Sequence, residues 1–158
     1  MAYSQTSRTG IDRRDGFRNT IASEYPNIKV VSVQYAAGVK LQPTEIAKAI
    51  LAANPDLGGM FSINEGSANG IVKDVREMAA EGVTIIGYNT GRAQTDAIYE
   101  GLTVGEITQN PVGIGYQAMK VTVAAMNGET LPAIIDTGFY FHDKSNKDDA
   151  EIQAVLYD

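Results

Sequence analysis

Apolar residues follow two different patterns along this chain. Over residues 68–79 they recur at intervals of three and four, which predicts an amphipathic helix. Similar stretches predict helices over residues 10–24, 43–53, 93–100, 111–127 and 148–157. Short, mostly apolar runs near turn-forming residues predict strands at 27–35, 59–63, 83–86, 102–107 and 133–141. Helices and strands therefore alternate up to residue 110.

This alternation, with its short connections, predicts an α/β fold in which an open parallel sheet carries helices on both faces. The run 83–86 lacks in-and-out alternation, as expected for a strand that is covered on both sides. We expect a first domain over residues 1–110. A crossover helix, a return strand and a C-terminal helix are expected to follow over 111–158.

Polar residues stand at the predicted carboxyl ends of the strands, where open parallel sheets bind their ligands. These positions are 4–7, 34–35, 64–65, 89–90 and 108–109. They are mostly uncharged and rich in amides, which offer both a hydrogen-bond donor and an acceptor. Such a set suits a neutral, polyhydroxylated ligand better than a phosphate or a metal ion.

The composition narrows the classes of function. The chain has 158 residues, with 13 Lys and Arg against 19 Asp and Glu, and a formal net charge of -6. An acidic domain repels phosphate backbones, so a nucleic-acid partner is not expected. The absence of Cys excludes disulfides, zinc–thiolate sites and thiol nucleophiles. No apolar run is long enough for a membrane span, and no cofactor is expected.

The first residues after Met1 are polar and lack the apolar core of a secretory signal. We therefore expect either a cytoplasmic protein or a part of a longer one. Three other features have ordinary structural interpretations. Residues 113–118 fit G-x-G-x-x-A but follow Asn110 and Pro111 rather than a strand end, which favours close helix packing. His142 is expected to be structural because no triad partners are identifiable, and Glu106 is expected at the surface.

Several short segments, in a fixed order and spacing, carry a family resemblance. They are Thr6-Ser7 with 13–17, then 53–57 leading into 61–65, then 86–89, and finally 107–111 before a helix. With these segments the chain resembles the C-terminal half of the ribose-binding-protein-like (type I) periplasmic sugar-binding proteins of ABC importers. The resemblance implies a Rossmann-like lobe without catalytic activity that binds a monosaccharide or polyol. It also implies a periplasmic location and an ABC permease as partner.

The resemblance also implies which residues bind the sugar. Arg13, Asn64, Asn89 and Gln109 match the positions at which such lobes hydrogen-bond the sugar hydroxyls. Asn89 stands where the family has Asp, which removes a charged acceptor. The aromatic residue that stacks on the sugar has no counterpart, since its position is Gly38, and Tyr35 is the only nearby substitute.

Family members have two lobes that close on the ligand, whereas this chain resembles one lobe plus an extra helix. In relatives the helix matching 111–127 belongs to the other lobe. Its apolar stripe consists of Val112, Tyr116, Met119, Val123 and Met126. In relatives the other, N-terminal lobe covers this stripe. Here the helix could fold back onto its own sheet, pair with its twin in a second copy of the chain or swap between two copies, and we favour the homodimer. With half of the clamp missing, weak sugar binding is expected.

Two other functions are weighed against sugar binding for transport. The effector-binding domain of a lac-repressor-type regulator shares the fold, but such regulators carry a DNA-binding headpiece that this sequence lacks. A Rossmann-like enzyme would need a phosphate-binding loop and an acid–base pair, and the sequence offers neither.

Overall fold

The computed structural model describes residues 6–35 and 43–157, without the side chains of residues 43 and 44. The described elements are α1 (Arg8–Glu24), α2 (Pro43–Ala53), β1 (Gly59–Phe61), α3 (Glu65–Met78), β2 (Thr84–Tyr88), α4 (Arg92–Glu100), β3 (Gly105–Gln109), α5 (Pro111–Met126), β4 (Phe139–His142) and α6 (Ala150–Gln153). All the predicted helices are present, although the last one is shorter than expected.

One predicted strand is wrong: residues 27–34 form no strand in the part of the chain that the structure describes. Most of their apolar side chains are exposed rather than sandwiched, with Ile28 at 54% and Val31 at 45%. A strand needs a neighbour to pair with, and strand propensity mostly reflects packing against such neighbours. Here the described neighbours supply none.

The four strands form one open sheet in the order β1-β2-β3-β4. The first three strands are parallel to one another, as predicted, and β4 returns antiparallel beside β3. The sheet is therefore mixed rather than wholly parallel. The division of the chain at residue 110 stays a prediction.

The main apolar core lies between the sheet and the helices α2 and α3. Its buried members are Ala47, Leu51, Met60, Ile71, Val75 and Ile85. On the opposite face α1 packs loosely: Phe17 stacks on Phe61 at a centroid distance of 4.8 Å, and Gly10 is the helix's one buried residue. An apolar groove therefore stays open between α1 and the sheet.

Polar side chains fix the starts of two helices. The Ser67 N–H donates to Asn64 Oδ1 at 2.8 Å at the start of α3, and the Gly113 N–H donates to Asn110 Oδ1 at 2.8 Å at the start of α5. The Asn110 side chain also fills the space that a Cβ at Gly113 would need. The first glycine of the G-x-G-x-x-A pattern thus serves a helix cap rather than the close helix packing expected from the sequence.

The predicted extra helix, α5, stands apart from the core and buries none of its residues. Its stripe is exposed, with Met119 at 64% and Met126 at 82%. None of the described helices is both long and apolar enough to cross a bilayer.

Candidate functional site

The three predicted strand-end residues share one edge of the sheet. Phe61 of β1 pairs with Ile86 of β2, and Asn64 and Asn89 each stand three residues beyond that pair. Tyr88 pairs with Ile107, so Gln109 at the end of β3 lies beside the loop that begins at Asn89. Parallel strands end on the same side of a sheet, so the fold brings these three residues to one edge.

Arg13 reaches the same edge from α1. Its Nη1 donates a hydrogen bond to the carbonyl oxygen of Ile63 at 2.9 Å. Its guanidinium also lies over the Tyr88 ring, 3.8 Å from the centroid, which is a cation–π contact. Both contacts hold the cation beside Asn64, although α1 is otherwise weakly packed. All four predicted site residues are therefore brought to the carboxyl ends of the strands.

The Asn64 side chain caps α3 with its carbonyl group, and its NH₂ group is available to a ligand. Its Oδ1 accepts from the Ser67 N–H as the cap of α3, and its backbone carbonyl accepts from the Ser62 hydroxyl at 2.8 Å. An amide side chain has two N–H donors besides its carbonyl. The cap therefore orients the Asn64 amide so that its NH₂ group can donate to a ligand.

Asn89 adopts a left-handed backbone conformation, with φ of 79°. Asn tolerates this conformation better than most residues. Its N–H donates to the carbonyl oxygen of Ile107 at 2.7 Å, which ties the end of β2 to β3. Gln94 Nε2 donates to the Tyr88 carbonyl at 3.1 Å just before it. These bonds make the Asn89 loop a defined part of the edge.

The sequence analysis did not identify a contact at this edge between Glu65 and Tyr157. The Tyr157 hydroxyl donates to Glu65 Oε2 at 2.7 Å, across 92 positions of sequence. Burial, together with the Glu65 carboxylate, raises the pKa of Tyr157 to about 12. No local signal marks Tyr157, because only the folded chain brings the C-terminal segment back to the strand ends.

Of the two positions considered for sugar stacking, the structure describes only Tyr35. The Tyr35 hydroxyl accepts from Arg14 Nη1 at 2.8 Å, so this ring is tied to α1. The position of Gly38 lies outside the described residues. The stacking role of Tyr35 stays a prediction.

Glu106 and His142 are buried, and the prediction that Glu106 lies at the surface is wrong. The two residues pair across β3 and β4 and are both fully buried, without a hydrogen-bond partner for their side chains within the described structure. Burial raises the pKa of Glu106 to about 8 and lowers the pKa of His142 below its usual value. The described residues form no group of three or more potential metal ligands.

The comparisons with known proteins agree on one family. A model of the periplasmic binding protein domain matches residues 1–130. The ribose import binding protein RbsB of Escherichia coli is 23% identical over 122 residues, which are 77% of this chain and 40% of that protein.

Two solved structures match most of the chain. A carbohydrate transporter solute binding protein from Agrobacterium radiobacter, in complex with D-arabinose, is 28% identical with a TM-score of 0.89. The match covers 99% of this chain and 53% of that one. A solute binding protein from Agrobacterium vitis, bound with alpha-D-tagatopyranose, is 29% identical with a TM-score of 0.87, over 96% and 51% of the two chains.

The chain thus spans about half the length of these solved relatives and 40% of the curated one. The family model covers far more than half of the chain itself, and the similar structures share its fold over nearly all of its length. The chain belongs to the periplasmic binding protein domain family.

Proposed function

We propose that this chain is one lobe of an ABC-importer substrate-binding protein and binds a monosaccharide or polyol, without catalysis. The ligand contacts would come from Arg13, Asn64, Asn89 and Gln109. The observation that carries the proposal is their placement: three strand-end residues share one edge of the sheet, and α1 holds Arg13 against that edge. Two solved relatives of similar fold hold D-arabinose and alpha-D-tagatopyranose, which supports a sugar as the ligand class.

The chemistry of this edge favours a neutral ligand rich in hydroxyls. Amide side chains donate and accept hydrogen bonds, as sugar hydroxyls also do. The Asn64 cap leaves an NH₂ donor, and Arg13 keeps further N–H groups beyond the one given to Ile63. The hydroxyl groups of a sugar can therefore hydrogen-bond both the donors and the acceptors at this edge.

The chain alone supplies one side of a cleft. Each hydrogen bond to a neutral ligand contributes only about 0.5–1.5 kcal/mol net, and a one-sided site leaves much of the ligand in water. We therefore expect millimolar affinity for the isolated chain. In a full-length substrate-binding protein, a second lobe would complete the site. Such a protein would lie in the periplasm and bind an ABC permease.

The exposed stripe of α5 would be a contact surface in this context. Val112, Tyr116, Met119, Val123 and Met126 are all more than half exposed. Burying such side chains is worth roughly 1.5–3 kcal/mol each, so an uncovered stripe favours association. The second lobe would cover it in a longer protein, and a second copy of the chain would cover it when the chain is alone.

Calorimetric titration with a panel of pentoses, hexoses and polyols tests the proposed function. We expect weak, saturable binding of at least one sugar. Arg13→Gln should weaken it, and Arg18→Gln, an exposed residue on the same helix, should leave it unchanged. Asn64→Ser keeps a good helix cap but removes the amide donor, so it should also weaken binding without loss of stability. Equal binding by all four proteins, or no binding of any sugar, would contradict the proposal.

A further inference from the structure

The described helices cover the two faces of the sheet unequally. On one face, Ile85, Glu106 and His142 have no exposed surface. On the other face, α1 lies beside β1, where Phe17 stacks on Phe61. The rest of this second face is apolar, and the described residues leave it open. It carries the side chains of Ile86 on β2, Ile107 on β3, and Phe139 and Phe141 on β4, and we call it the open face.

The helix α5 is the second uncovered apolar surface of the chain. Among its 16 residues only Lys120 is charged. A helix that is apolar around most of its surface is normally buried, yet α5 buries none of its residues. In its stripe, Tyr116 is 63% exposed and Met126 is 82% exposed. One chain thus presents an apolar helix and an apolar sheet face, and the described part of the chain covers neither.

The position of α5 relative to the candidate site follows from the strand register. The chain leaves the sheet at Gln109, at the ligand edge, and re-enters it at Phe139, which pairs with Gln109. Asn110 Nδ2 donates to the Thr137 carbonyl at 3.1 Å, so the start of α5 and the return to β4 are held together. Because α5 buries no residue against the rest of the chain, it lies beyond the ligand edge. A partner seated on α5 would therefore face the candidate site.

The two surfaces match each other in size. The open face spans two strand spacings, from β2 to β4, or about 10 Å, which is about the diameter of one helix. Burying a large apolar side chain removes roughly 60–120 Å² from water. The stripe and the open face together would bury about 500–1,000 Å² per copy, around the ~800 Å² per partner of a stable interface. Pairing of stripe with stripe would leave both open faces uncovered.

We propose that α5 of one copy packs across the open face of a second copy, and that the exchange is reciprocal, so that the two ligand edges face each other across one shared cleft. Such a contact is closed by a two-fold axis and leaves neither surface exposed. The docking does not depend on the ligand, whereas the shared cleft rests on the proposed sugar-binding function. In that cleft the second copy supplies the other side of the site, with its own Arg13, Asn64, Asn89 and Gln109.

The first test concerns the docking and needs no sugar. Phe139→Glu puts a carboxylate on the open face at a position that is already 72% exposed. Val104→Glu is the matched control, because Val104 is an exposed apolar residue outside both surfaces. In sedimentation velocity, Phe139→Glu should raise the dimer dissociation constant roughly tenfold or more, since the carboxylate would be buried without a partner. Val104→Glu should leave it unchanged. Parent-like dimerisation of Phe139→Glu would overturn the docking and favour pairing between stripes.

A second measurement needs no variant. When the isotope-labelled parent is diluted from dimer to monomer, the NMR amide signals of Ile86 and Ile107 should shift together with those of α5. If the α5 signals move and those of Ile86 and Ile107 do not, α5 does not dock on the open face.

The test of the shared cleft uses D-arabinose as the probe. Met119→Glu with Val123→Glu should be monomeric, and neither residue belongs to the candidate site. This variant should bind D-arabinose roughly tenfold or more weakly than the dimeric parent, because it loses at least one hydrogen bond from the second copy. Val104→Glu should bind it like the parent. Equal affinity of monomer and dimer would overturn the shared cleft and leave sugar binding by one lobe standing. Absence of D-arabinose binding by the dimeric parent would contradict both the shared cleft and the proposed function for this sugar, while sedimentation still decides the docking.

Discussion

The buried Glu106 predicts an unusual dependence of stability on pH. Its carboxyl group is fully buried on β3, opposite the equally buried His142 on β4. Burial raises its pKa from 4.5 to about 8, so the folded protein keeps this proton at neutral pH. The unfolded chain releases it near the ordinary value. Between these two pH values the folded state binds more protons, and stability must fall as the pH rises.

The magnitude follows from the two pKa values. Each pKa unit corresponds to about 1.4 kcal/mol, so the difference between 4.5 and about 8 amounts to about 5 kcal/mol. This is a large part of the total stability of a small domain. His142 acts in the opposite direction: burial lowers its pKa from 6.5, against the attraction of Asp143, so stability falls as the pH drops through that value. Below pH 6.5 the two effects therefore oppose each other, and between pH 6.5 and about 8 the loss of stability from Glu106 is not offset by His142.

Urea unfolding from about pH 5 to about pH 9 measures this dependence. Glu106→Gln is neutral at every pH and should remove most of the loss of stability on the alkaline side. Glu129→Gln, an exposed control carboxylate, should follow the parent. If the parent and Glu106→Gln lose stability in parallel as the pH rises, Glu106 is not a buried neutral acid and the reasoning is refuted.

Two further predictions concern packing and assembly. A Cβ at Gly87 would meet the Glu106 carboxylate, so Gly87→Ala should lower the free energy of unfolding by about 1–3 kcal/mol. Adding Glu106→Ala to Gly87→Ala should restore part of this free energy, as measured by urea unfolding. If the losses from the two substitutions instead add, the clash is contradicted. The parent should self-associate in light scattering at micromolar concentration, and Met119→Glu with Val123→Glu should abolish this. If the parent and the double variant have the same mass in solution, α5 is not the interface.

Much of the fold could be predicted because its signals are local. The helical spacing of apolar residues over 68–79 and 111–127 locates α3 and α5. The amides at the strand ends indicate the ligand edge because parallel strands must end together. The positions of Asn64, Asn89 and Gln109 follow from that rule, and the family resemblance adds Arg13, which the structure holds at the same edge.

The features that the sequence analysis predicted wrongly or did not find depend on tertiary structure. The segment 27–34 has strand-like residues, but strand formation needs a neighbour that the described structure does not place there. Glu106 looks like a surface residue by type, yet its side chain is fully buried, opposite the equally buried His142 of β4, and this pairing follows only from the register of the two strands. Tyr157 joins the site through a contact with Glu65 that spans 92 positions, beyond the reach of any local pattern.

Backbone NMR mapping during titration with D-arabinose tests the central claim most directly. The account predicts that the amide signals that move are those at the carboxyl ends of β1, β2 and β3, together with Arg13 on α1, and that Ile21 and Tyr25, which line the apolar groove nearer the end of α1, stay unchanged. Shifts confined to Ile21 and Tyr25, or to the exposed stripe of α5, would show that the sugar does not bind at the strand ends and would contradict the account.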